Sequence, residues 1–392
     1  MYRRKISTVL QQRLMGPRSF IQVVMGPRQT GKTTAIKQAV KACGLPCRVA
    51  SADSSRELAG DWIDLEWRQA RQLTSNGSRA ILVLDEIQKV TGWSETVKAL
   101  WDEDSWNDTE LLVVLSGSSS LLLGSGLTES LAGRFELLRS THWSLSEMSE
   151  AFGYSLEDYL MFGGYPGAAI LKSDVDRWRE YMRDSIVEST ISRDVLQMED
   201  VRKPALMRAL FELGAQYSAQ EISYRKLLGQ LDDKGNTDTV RHYLDLLSKA
   251  GMMSGLQKYD AKQVRSRASS PRLLVHDPSL MFSMWRGTGD LLADSALRGH
   301  LVETAVGARL IARAQTEGFE LYWWREGNLE VDFVAKRGDD ALAAIEVKSG
   351  RVSKSGMTEF LAQNPQAKPM IVGDRNVSVE QFLRDEVELF SW

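Results

Sequence analysis

The chain has 392 residues, of which 43% are hydrophobic and 26% are charged, and its formal net charge at pH 7 is -3. These values are typical of a folded protein and exclude a disordered or strongly basic chain, so any nucleic-acid contact must come from a local patch. The longest apolar runs are far shorter than the ~20 residues of a membrane helix, and no apolar segment follows the basic start MYRRK. We therefore expect a cytoplasmic protein without membrane contact.

The order of the sequence patterns predicts four modules. Residues 1–145 alternate short apolar strands with amphipathic stretches, as in a parallel sheet wrapped by helices. Residues 146–204 lack strand patterns and predict a small helical subdomain. Residues 205–288 predict three short helices and then two strands joined by a basic loop, an arrangement typical of a winged helix. Residues 289–392 predict a helix, three strands, one further strand and a short helix.

The segment GPRQTGKT, Gly26 to Thr33, lies between a predicted strand and a predicted helix. It fits the pattern G-x-x-x-x-G-K-[ST] of loops that bind nucleotide phosphates. Backbone N–H groups of such a loop surround the β-phosphate, Lys32 places its charge at the β- and γ-phosphates, and Thr33 offers a hydroxyl to Mg²⁺. The motif therefore predicts a site for ATP and Mg²⁺, although no motif distinguishes ATP from GTP.

Two further strands end in polar residues that complete this site. The run ILVLDE ends in Asp85, which we expect to hold Mg²⁺, and Glu86, which we expect to polarise the attacking water. The run LLVVLSGSSS ends in Ser116 and Ser118, candidate sensors of the γ-phosphate, although serines also commonly terminate strands. The expected nucleotide-binding residues are Gly26, Pro27, Arg28, Gln29, Thr30, Gly31, Lys32, Thr33, Thr34, Asp85 and Ser116.

Arg134 follows a glycine in the segment ESLAGRFE. Hydrolysis by P-loop enzymes often needs an additional cation at the transition state, commonly an arginine from a neighbouring subunit. Arg134 is a candidate for that role, and an ordinary surface arginine is the alternative.

Several segments together resemble a known family: GPRQTGKTT, LDEIQKVTGW, SGSSSLLL, ESLAGRFE, FGGYP, and the closing WWREGNLEVDFV and IEVKSG. They are similar to the prokaryotic AAA+ ATPases that carry a C-terminal domain of unknown function with a restriction-endonuclease-like fold. The similarity runs from about Ile21 to about Gly350. It implies an α/β fold with four parts: a P-loop AAA+ core (1–145), a helical lid (146–204), a winged-helix domain (205–288) and a PD-(D/E)XK nuclease-like α/β domain (289–392). It also supports Ser116 as a sensor and Arg134 as a finger acting in trans, hence a homo-oligomeric ring or spiral, with a hexamer favoured.

The nuclease-like resemblance assigns roles near the end of the chain. In such domains a carboxylate on one strand and a Glu-x-Lys on the next hold Mg²⁺, and the lysine positions the attacking water. Asp332, Glu346 and Lys348 fit that spacing, because residues two apart on a strand point to the same face. Glu303 on the preceding helix is the expected further metal ligand. Glu326 and Glu330 are acidic alternatives, and a solvated strand edge is another interpretation of this pattern.

The basic loop AKQVRSRASSPR carries Lys262, Arg265, Arg267 and Arg272, which are candidate contacts to DNA phosphates. A solvated hairpin tip is the alternative.

Two functions follow from these assignments. In the first, an ATP-hydrolysing protein assembles through nucleotide-bridged interfaces and acts on DNA through its winged-helix and nuclease-like domains, with Mg²⁺-dependent cleavage left open. In the second, the protein is an ATP-driven switch for a protein partner, and the nuclease-like domain is a catalytically inert scaffold. A small-molecule kinase shares the P-loop, but the Asp85–Glu86 pair and the additional modules argue against it.

Overall fold

The computed structural model describes residues 2–54, 60–117, 127, 130–196, 201–231, 236–260, 270–285, 294–339, 341–348, 356–373 and 376–390. The chain divides into two compact units, Met1–Thr141 and His142–Trp392. No helix within these described ranges has both the length and the apolar character needed to cross a lipid bilayer.

The first unit is built on a parallel sheet, as the sequence predicts. Its strands are β1 (Ile21–Met25), β2 (Cys47–Ser51), β3 (Ala80–Asp85), β4 (Leu111–Gly117) and β5 (Phe135–Arg139). Its α-helices are α1 (Lys5–Met15), α2 (Lys32–Cys43), α3 (Gly60–Arg71) and α4 (Trp93–Trp106), and short 3-10 turns cover Ala52–Ser54, Gln72–Gly77 and Ile87–Lys89. The strand order is β2-β3-β4-β1-β5, and every neighbouring pair is parallel. This arrangement confirms the parallel α/β core.

Side-chain alternation along the strands fills a core on each face of this sheet. In β1, Ile21 and Val23 join the core that includes α3 and α4, whereas Val24 joins the core that includes α1 and α2. Strands covered on both faces need apolar residues at successive positions, which explains the runs AILVL in β3 and LLVVL in β4. Each fully buried aliphatic side chain contributes about 1.5–3 kcal/mol. The strand ends are therefore held firmly, and polar side chains are left to the edges.

The second unit is mostly helical in its first half and mixed in its second half. Its α-helices are α5 (Leu145–Phe152), α6 (Leu156–Phe162), α7 (Val175–Tyr181), α8 (Pro204–Gln216), α9 (Tyr224–Gln230), α10 (Thr237–Lys249), α11 (Pro278–Met284), α12 (Ser295–Glu317), α13 (Met357–Gln363) and α14 (Val379–Leu383). A 3-10 turn covers Ala169–Leu171, and π-helical segments cover Met182–Glu188 and Ile191–Val195. Its strands are β6 (Gln220–Glu221), β7 (Met253–Leu256), β8 (Arg272–Val275), β9 (Glu320–Glu326), β10 (Leu329–Arg337), β11 (Ala341–Val347) and β12 (Ala367–Val372).

These strands form two sheets. The smaller has the order β6-β8-β7 and is antiparallel. The larger has the order β12-β11-β10-β9, in which only the β11–β12 pair is parallel. The predicted series of three helices and two strands is confirmed by α8, α9, α10, β7 and β8, and the helix with three strands is confirmed by α12 and β9 to β11. The short strand β6 and the helix α13 were not predicted, because two residues and seven residues carry too little periodicity to be recognised.

The FGGYP segment packs against a buried carboxylate. Asp277 Oδ2 accepts a hydrogen bond from the Gly164 N–H at 2.8 Å, and Oδ1 accepts one from the Ser279 N–H at 3.0 Å. A Cβ on Gly163, whose φ is +63°, would lie 1.8 Å from Asp277 Oδ1. No larger residue fits there, so the glycine pair allows this approach of the backbone to a carboxylate that also caps α11.

Burial shifts the pKa values of two adjacent titratable groups in opposite directions. Burial raises the pKa of Asp277 from 3.8 to about 6, against the hydrogen bonds that it accepts. Burial lowers the pKa of His276 from 6.5 to about 4, and its Nε2 lies 2.6 Å from the Ser254 hydroxyl oxygen. Asp277 therefore stabilises the fold increasingly as the pH falls from about 6 to 4. The contribution of His276 is complete above about 6.5 and is lost as the pH falls to about 4.

We expect these two contributions to offset each other in the wild-type chain. On acidification from pH 7 to pH 4.5, the Asp277→Asn variant should lose about 2 kcal/mol more free energy of unfolding than wild type, because His276 is then unopposed. The His276→Gln variant should lose about 2 kcal/mol less than wild type for the converse reason. Urea unfolding at the two pH values measures both differences. Equal pH dependence in all three proteins would contradict the assignment.

Candidate nucleotide-binding site

The loop from Gly26 to Thr33 leaves the carboxyl end of β1 and opens α2. A Cβ on Gly26 would lie 1.9 Å from the carbonyl oxygen of Ser140, so only glycine allows the end of β5 to lie this close. Gly31 has φ +83° at the N-cap of α2, a left-handed conformation that favours glycine. The two glycines of the motif are thus required by the backbone, and the loop leads into the N-terminus of a helix, where anions bind.

Lys32 lies on the inner side of this loop. Its ammonium group donates hydrogen bonds to the carbonyl oxygens of Gly26 at 2.9 Å and Pro27 at 2.7 Å, and the residue is only 7% exposed. Phosphate oxygens are charged acceptors and bind an ammonium group more strongly than neutral carbonyls do. The position of Lys32 therefore fits the phosphate-binding role that the motif predicts.

The other loop residues support its shape. Thr30 is buried, and its hydroxyl donates to the Pro27 carbonyl at 3.0 Å. Gln29 has φ +57°, which is unusual for a residue with a side chain. Arg28 is half-buried, and Thr34 lies exposed in the first turn of α2.

Three polar side chains meet where β1, β4 and β3 end. Asp85 Oδ2 accepts a hydrogen bond from the Thr33 hydroxyl at 3.1 Å, and Asp85 Oδ1 accepts one from the Ser116 hydroxyl. Because β4 lies between β1 and β3, Ser116 is the neighbour of Asp85 in the sheet. A hydroxyl and a carboxylate are oxygen ligands of the kind that Mg²⁺ prefers. Thr33 and Asp85 would hold the ion beside the phosphates, so these residues fit a magnesium–nucleotide complex.

Glu86 follows Asp85 in a constrained conformation. Its φ of +53° is left-handed, a strained conformation for a residue with a side chain. The side-chain amide of Gln88 donates to Glu86 Oε2 at 2.6 Å, and Gln88 is buried. Gln88 therefore positions the carboxylate that is the candidate for activating water. The sequence analysis did not identify Gln88, because glutamine in a turn carries no recognisable signal.

Arg4 is a second residue that sequence reasoning missed. Its guanidinium donates to the Thr30 carbonyl at 3.0 Å, to the Ser140 hydroxyl at 3.2 Å and to the Thr141 carbonyl at 3.1 Å. It is buried and therefore joins the phosphate-binding loop to the end of β5 by charge-assisted hydrogen bonds. The partners lie 26 to 137 residues away in the sequence, so no local pattern indicates them.

Arg134 lies at the opposite edge of the sheet from the phosphate-binding loop. It precedes β5, and the register pairs Ile21 with Phe135 and Met25 with Arg139, so Arg134 is at the amino ends of the strands. The length of β1 separates it from the loop, roughly 15 Å at the rise of a strand. Its Nε and Nη2 donate to the two carboxylate oxygens of Asp102 on α4 at 2.7 and 3.0 Å. These hydrogen bonds lower the pKa of Asp102 and raise that of Arg134.

Two carboxylates expected to hold a metal ion in the second unit, those of Glu303 and Asp332, lie around Arg272 together with the alternative Glu330. Its Nη1 donates to Glu330 Oε1 at 2.6 Å, its Nη2 donates to Glu303 Oε1, and Nη2 lies 3.6 Å from Asp332 Oδ1. Arg272 lies on β8 and is only 3% exposed. The structure therefore does not place Arg272 at an exposed hairpin tip, as the sequence analysis expected for a phosphate contact. Its carboxylate partners and the nearby Phe333 ring hold it inside the unit.

Glu346 lies in β11 and Lys348 directly follows the strand, and their side chains meet as the spacing of two residues predicts. The ammonium of Lys348 donates to Glu346 Oε1, and the Val347 N–H donates to Asp332 Oδ2 at 2.7 Å. Burial raises the pKa of Asp332, and Glu330 and Glu346 act in the same direction, whereas Arg272 opposes the shift. Among the described residues, no group of three or more His, Cys, Asp or Glu side chains is arranged to hold a metal ion.

The remaining expected DNA contacts, Lys262, Arg265 and Arg267, lie outside the described residues, as does Ser118.

Comparisons with known proteins match three segments of the chain to family models. Residues 18–149 match the model of an AAA domain. Residues 153–290 and 298–385 match models of two domains of unknown function, DUF8612 and DUF4143. The AAA-domain match, the parallel sheet and the loop geometry together support the P-loop AAA+ ATPase class for the first unit.

Curated relatives carry no assigned activity in their names. An uncharacterized protein of Methanocaldococcus jannaschii is 26% identical over 273 residues, 64% of this chain and 58% of the relative. An uncharacterized protein of Haemophilus influenzae is 22% identical over 342 residues, 82% of this chain and 81% of the relative. One of Mycobacterium tuberculosis is 28% identical over 280 residues, 70% of this chain and 58% of the relative. The chain thus spans less than two thirds of the length of the archaeal and mycobacterial relatives.

Among solved structures, the chain is similar to the Thermotoga maritima RuvB Holliday junction branch migration motor. The two are 20% identical, and the match covers 64% of this chain and 87% of RuvB with a TM-score of 0.33.

We expect the Arg4→Met variant to bind nucleotide about tenfold more weakly, because the loop loses its charge-assisted hydrogen bonds at Thr30. Titration with a fluorescent ATP analogue measures the change. The neighbouring Arg3 is exposed, so Arg3→Met is the matched control and should bind as wild type does. Equal affinity of Arg4→Met and wild type would contradict a role for Arg4 in shaping the loop.

Proposed function

We propose that this protein hydrolyses ATP with Mg²⁺ at the site in its first unit. The observation that carries the proposal is the convergence of Lys32, Thr33, Asp85 and Ser116 at one edge of the parallel sheet. Each of these groups has the chemistry that its position requires: an ammonium for phosphate charge, and a hydroxyl and a carboxylate for a hard cation. ATP is the proposed nucleotide.

The residues of the site have different roles in the proposed hydrolysis. Lys32 exchanges its carbonyl partners for phosphate oxygens and stabilises the negative charge that develops on them. Bound Mg²⁺ supplies further neutralisation of that charge. Glu86, held by Gln88, orients a water molecule and accepts its proton. Ser116 holds Asp85 in place through its hydroxyl hydrogen bond.

We assign the additional cation to Arg134 of a neighbouring copy of the chain. Arg134 lies too far from the loop of its own subunit, at the other edge of the sheet. Trp106 lies one helical turn after Asp102, the partner of Arg134, and is 89% exposed. A large aromatic side chain in this position is typical of a protein interface. The surface formed by Arg134, Asp102 and Trp106 is therefore proposed to contact the nucleotide site of the next subunit in a ring or spiral, with a hexamer favoured.

Mixing two inactive variants tests this assembly. Lys32→Ala removes the phosphate contact and Arg134→Ala removes the finger, so each alone should lose at least about 100-fold in ATP hydrolysis rate. In an equal mixture, Arg134→Ala subunits keep an intact loop and receive Arg134 from Lys32→Ala neighbours. Random mixing should therefore restore about a quarter of the wild-type rate. The measurement is the steady-state release of phosphate across a series of mixing ratios.

The matched control is Asp102→Asn, which removes the ionic partner of Arg134 within its own subunit and keeps the guanidinium. It should retain hydrolysis, because Arg134 then remains available to the neighbour. If Asp102→Asn loses as much activity as Arg134→Ala, the ion pair is structural and the trans role is wrong. If the mixtures recover no hydrolysis activity, the trans role of Arg134 is likewise wrong.

A second candidate function, action on DNA, is favoured by the basic residues Lys262, Arg265 and Arg267 between β7 and β8. The basic residues of α10 are weaker candidates, because each is paired with an acid on the same helix. Arg241 lies 3.5 Å from Asp238, and Lys249 lies 2.8 Å from Asp245. We therefore assign phosphate contacts to the β7–β8 connection.

The hydrolysis rate with and without single-stranded, duplex and branched DNA tests this assignment. We expect one DNA form to raise the rate, and the stimulation to weaken as salt increases, since each neutralised phosphate releases counterion. A triple variant with glutamine in place of Lys262, Arg265 and Arg267 should lose the stimulation. Its ratio of stimulated to unstimulated rates should fall to about one. Replacing Arg241 and Lys249 with glutamine is the matched control and should leave that ratio unchanged. A rate that no DNA form changes would contradict DNA action and favour an ATP-driven switch for a protein partner.

A further inference from the structure

A buried arginine lies among two of the expected metal ligands, Glu303 and Asp332, and the alternative Glu330. Besides Glu303, Glu330 and Asp332, Arg272 reaches two backbone carbonyls. Its Nε donates to Ala219 O at 3.1 Å, and its Nη1 donates to Asp332 O at 3.3 Å. All three guanidinium nitrogens of Arg272 therefore have acceptors within the unit.

Two other cations of the chain, Arg325 and Lys348, also pair with carboxylates of this region. Arg325 Nη2 lies 3.6 Å from Glu330 Oε2, and its Nη1 donates to Glu221 Oε2 at 2.6 Å. The Lys348 ammonium group donates a hydrogen bond to the Glu346 carboxylate. A hard divalent cation needs several oxygen ligands directed at one point. Here the oxygens are directed at guanidinium and ammonium groups, so the residues do not fit Mg²⁺.

Close backbone packing makes this arrangement possible. A Cβ on Gly307 of α12 would lie 2.6 Å from the Phe333 ring and 2.8 Å from Leu274. The glycine therefore allows β8, α12 and β10 to approach one another. The guanidinium carbon of Arg272 lies 5.5 Å from the centre of the Phe333 ring, which adds a cation–π contact. The planar fork of arginine suits several carboxylates at once, which a lysine ammonium would not match.

We infer that Arg272 is the resident cation of this carboxylate cluster: it ties β8 to α12 and β10, and the cluster recruits no divalent cation for phosphodiester cleavage. The inference concerns the second unit alone and stands independently of ATP hydrolysis in the first.

Binding of Mn²⁺ to the nucleotide-free chain, followed by electron paramagnetic resonance, tests this inference. Wild type and Asp332→Asn should bind the same amount of Mn²⁺, because Asp332 belongs to no metal site. Arg272→Met removes the resident cation and should gain one Mn²⁺ site per chain. That gain should disappear in the double variant Arg272→Met/Asp332→Asn. Arg272→Lys keeps the positive charge and should gain no site.

Two results would overturn the inference. The first is a Mn²⁺ site in wild type that Asp332→Asn removes, since the cluster would then bind metal in the presence of Arg272. The second is an Arg272→Met variant with a wild-type circular dichroism spectrum and no gained site, since the carboxylates would then not be held together by a replaceable cation. If Arg272→Met fails to fold, the comparison of wild type with Asp332→Asn still decides the question.

Discussion

The burial of both faces of the parallel sheet is the constraint on which the first unit depends. The central strands β3 and β4 are buried along almost their whole length, and their polar side chains Asp85 and Ser116 lie near the carboxyl ends. Parallel strands bring their carboxyl ends to one edge, so Lys32, Asp85 and Ser116 meet although they are far apart in the chain. Because the two apolar cores are closely packed, they hold the strand ends, and therefore the site residues, in fixed positions. Apolar packing thus supplies the precise geometry that phosphate chemistry needs.

A second constraint, that a buried charge needs partners, shapes the parts of the molecule outside that edge. Arg4 meets carbonyls and a hydroxyl, Arg272 meets three carboxylates, and Asp277 meets N–H donors. Removal of one partner from such a group leaves a buried hydrogen-bonding atom unsatisfied, at a cost of about 1–3 kcal/mol. Each of these residues therefore joins segments that the sequence separates widely. The ionic contacts specify which segments lie together, whereas apolar packing supplies most of the stability.

The two carboxylate-rich regions illustrate how similar residues lead to different chemistry. Asp85 is half-buried, and each of its carboxylate oxygens accepts a hydrogen bond from a hydroxyl group, which is itself an oxygen ligand suited to Mg²⁺. Asp332 lies beside Arg272 and accepts a hydrogen bond from a backbone N–H group. The carboxylates near it are already paired with positively charged side chains. Both regions offer an aspartate carboxylate. The difference lies in which positive group the fold brings near.

Periodicity and turn residues were enough to predict the elements with long, regular patterns. The strands β1, β3 and β4 follow short, mostly apolar runs, and α12 and the strands β9 to β11 follow helical spacing or strand patterns that are visible in the sequence. The phosphate-binding loop was equally predictable, because its glycines, lysine and threonine are adjacent and their spacing is required by the phosphate chemistry. The short elements β6 and α13 were not predictable, since their form depends on neighbours elsewhere in the unit.

The sequence by itself determined the local features, namely where strands and helices form and which loop binds phosphate, because those depend on residues close together in the chain. Only the tertiary structure decided the partners of long side chains. The sequence does not show that Arg4 supports the loop, that Arg134 lies at the far edge of the sheet, or that Arg272 lies among carboxylates. The physical reason is that long charged side chains follow no periodicity. Their partners depend on which distant segments pack together and on whether water can reach them.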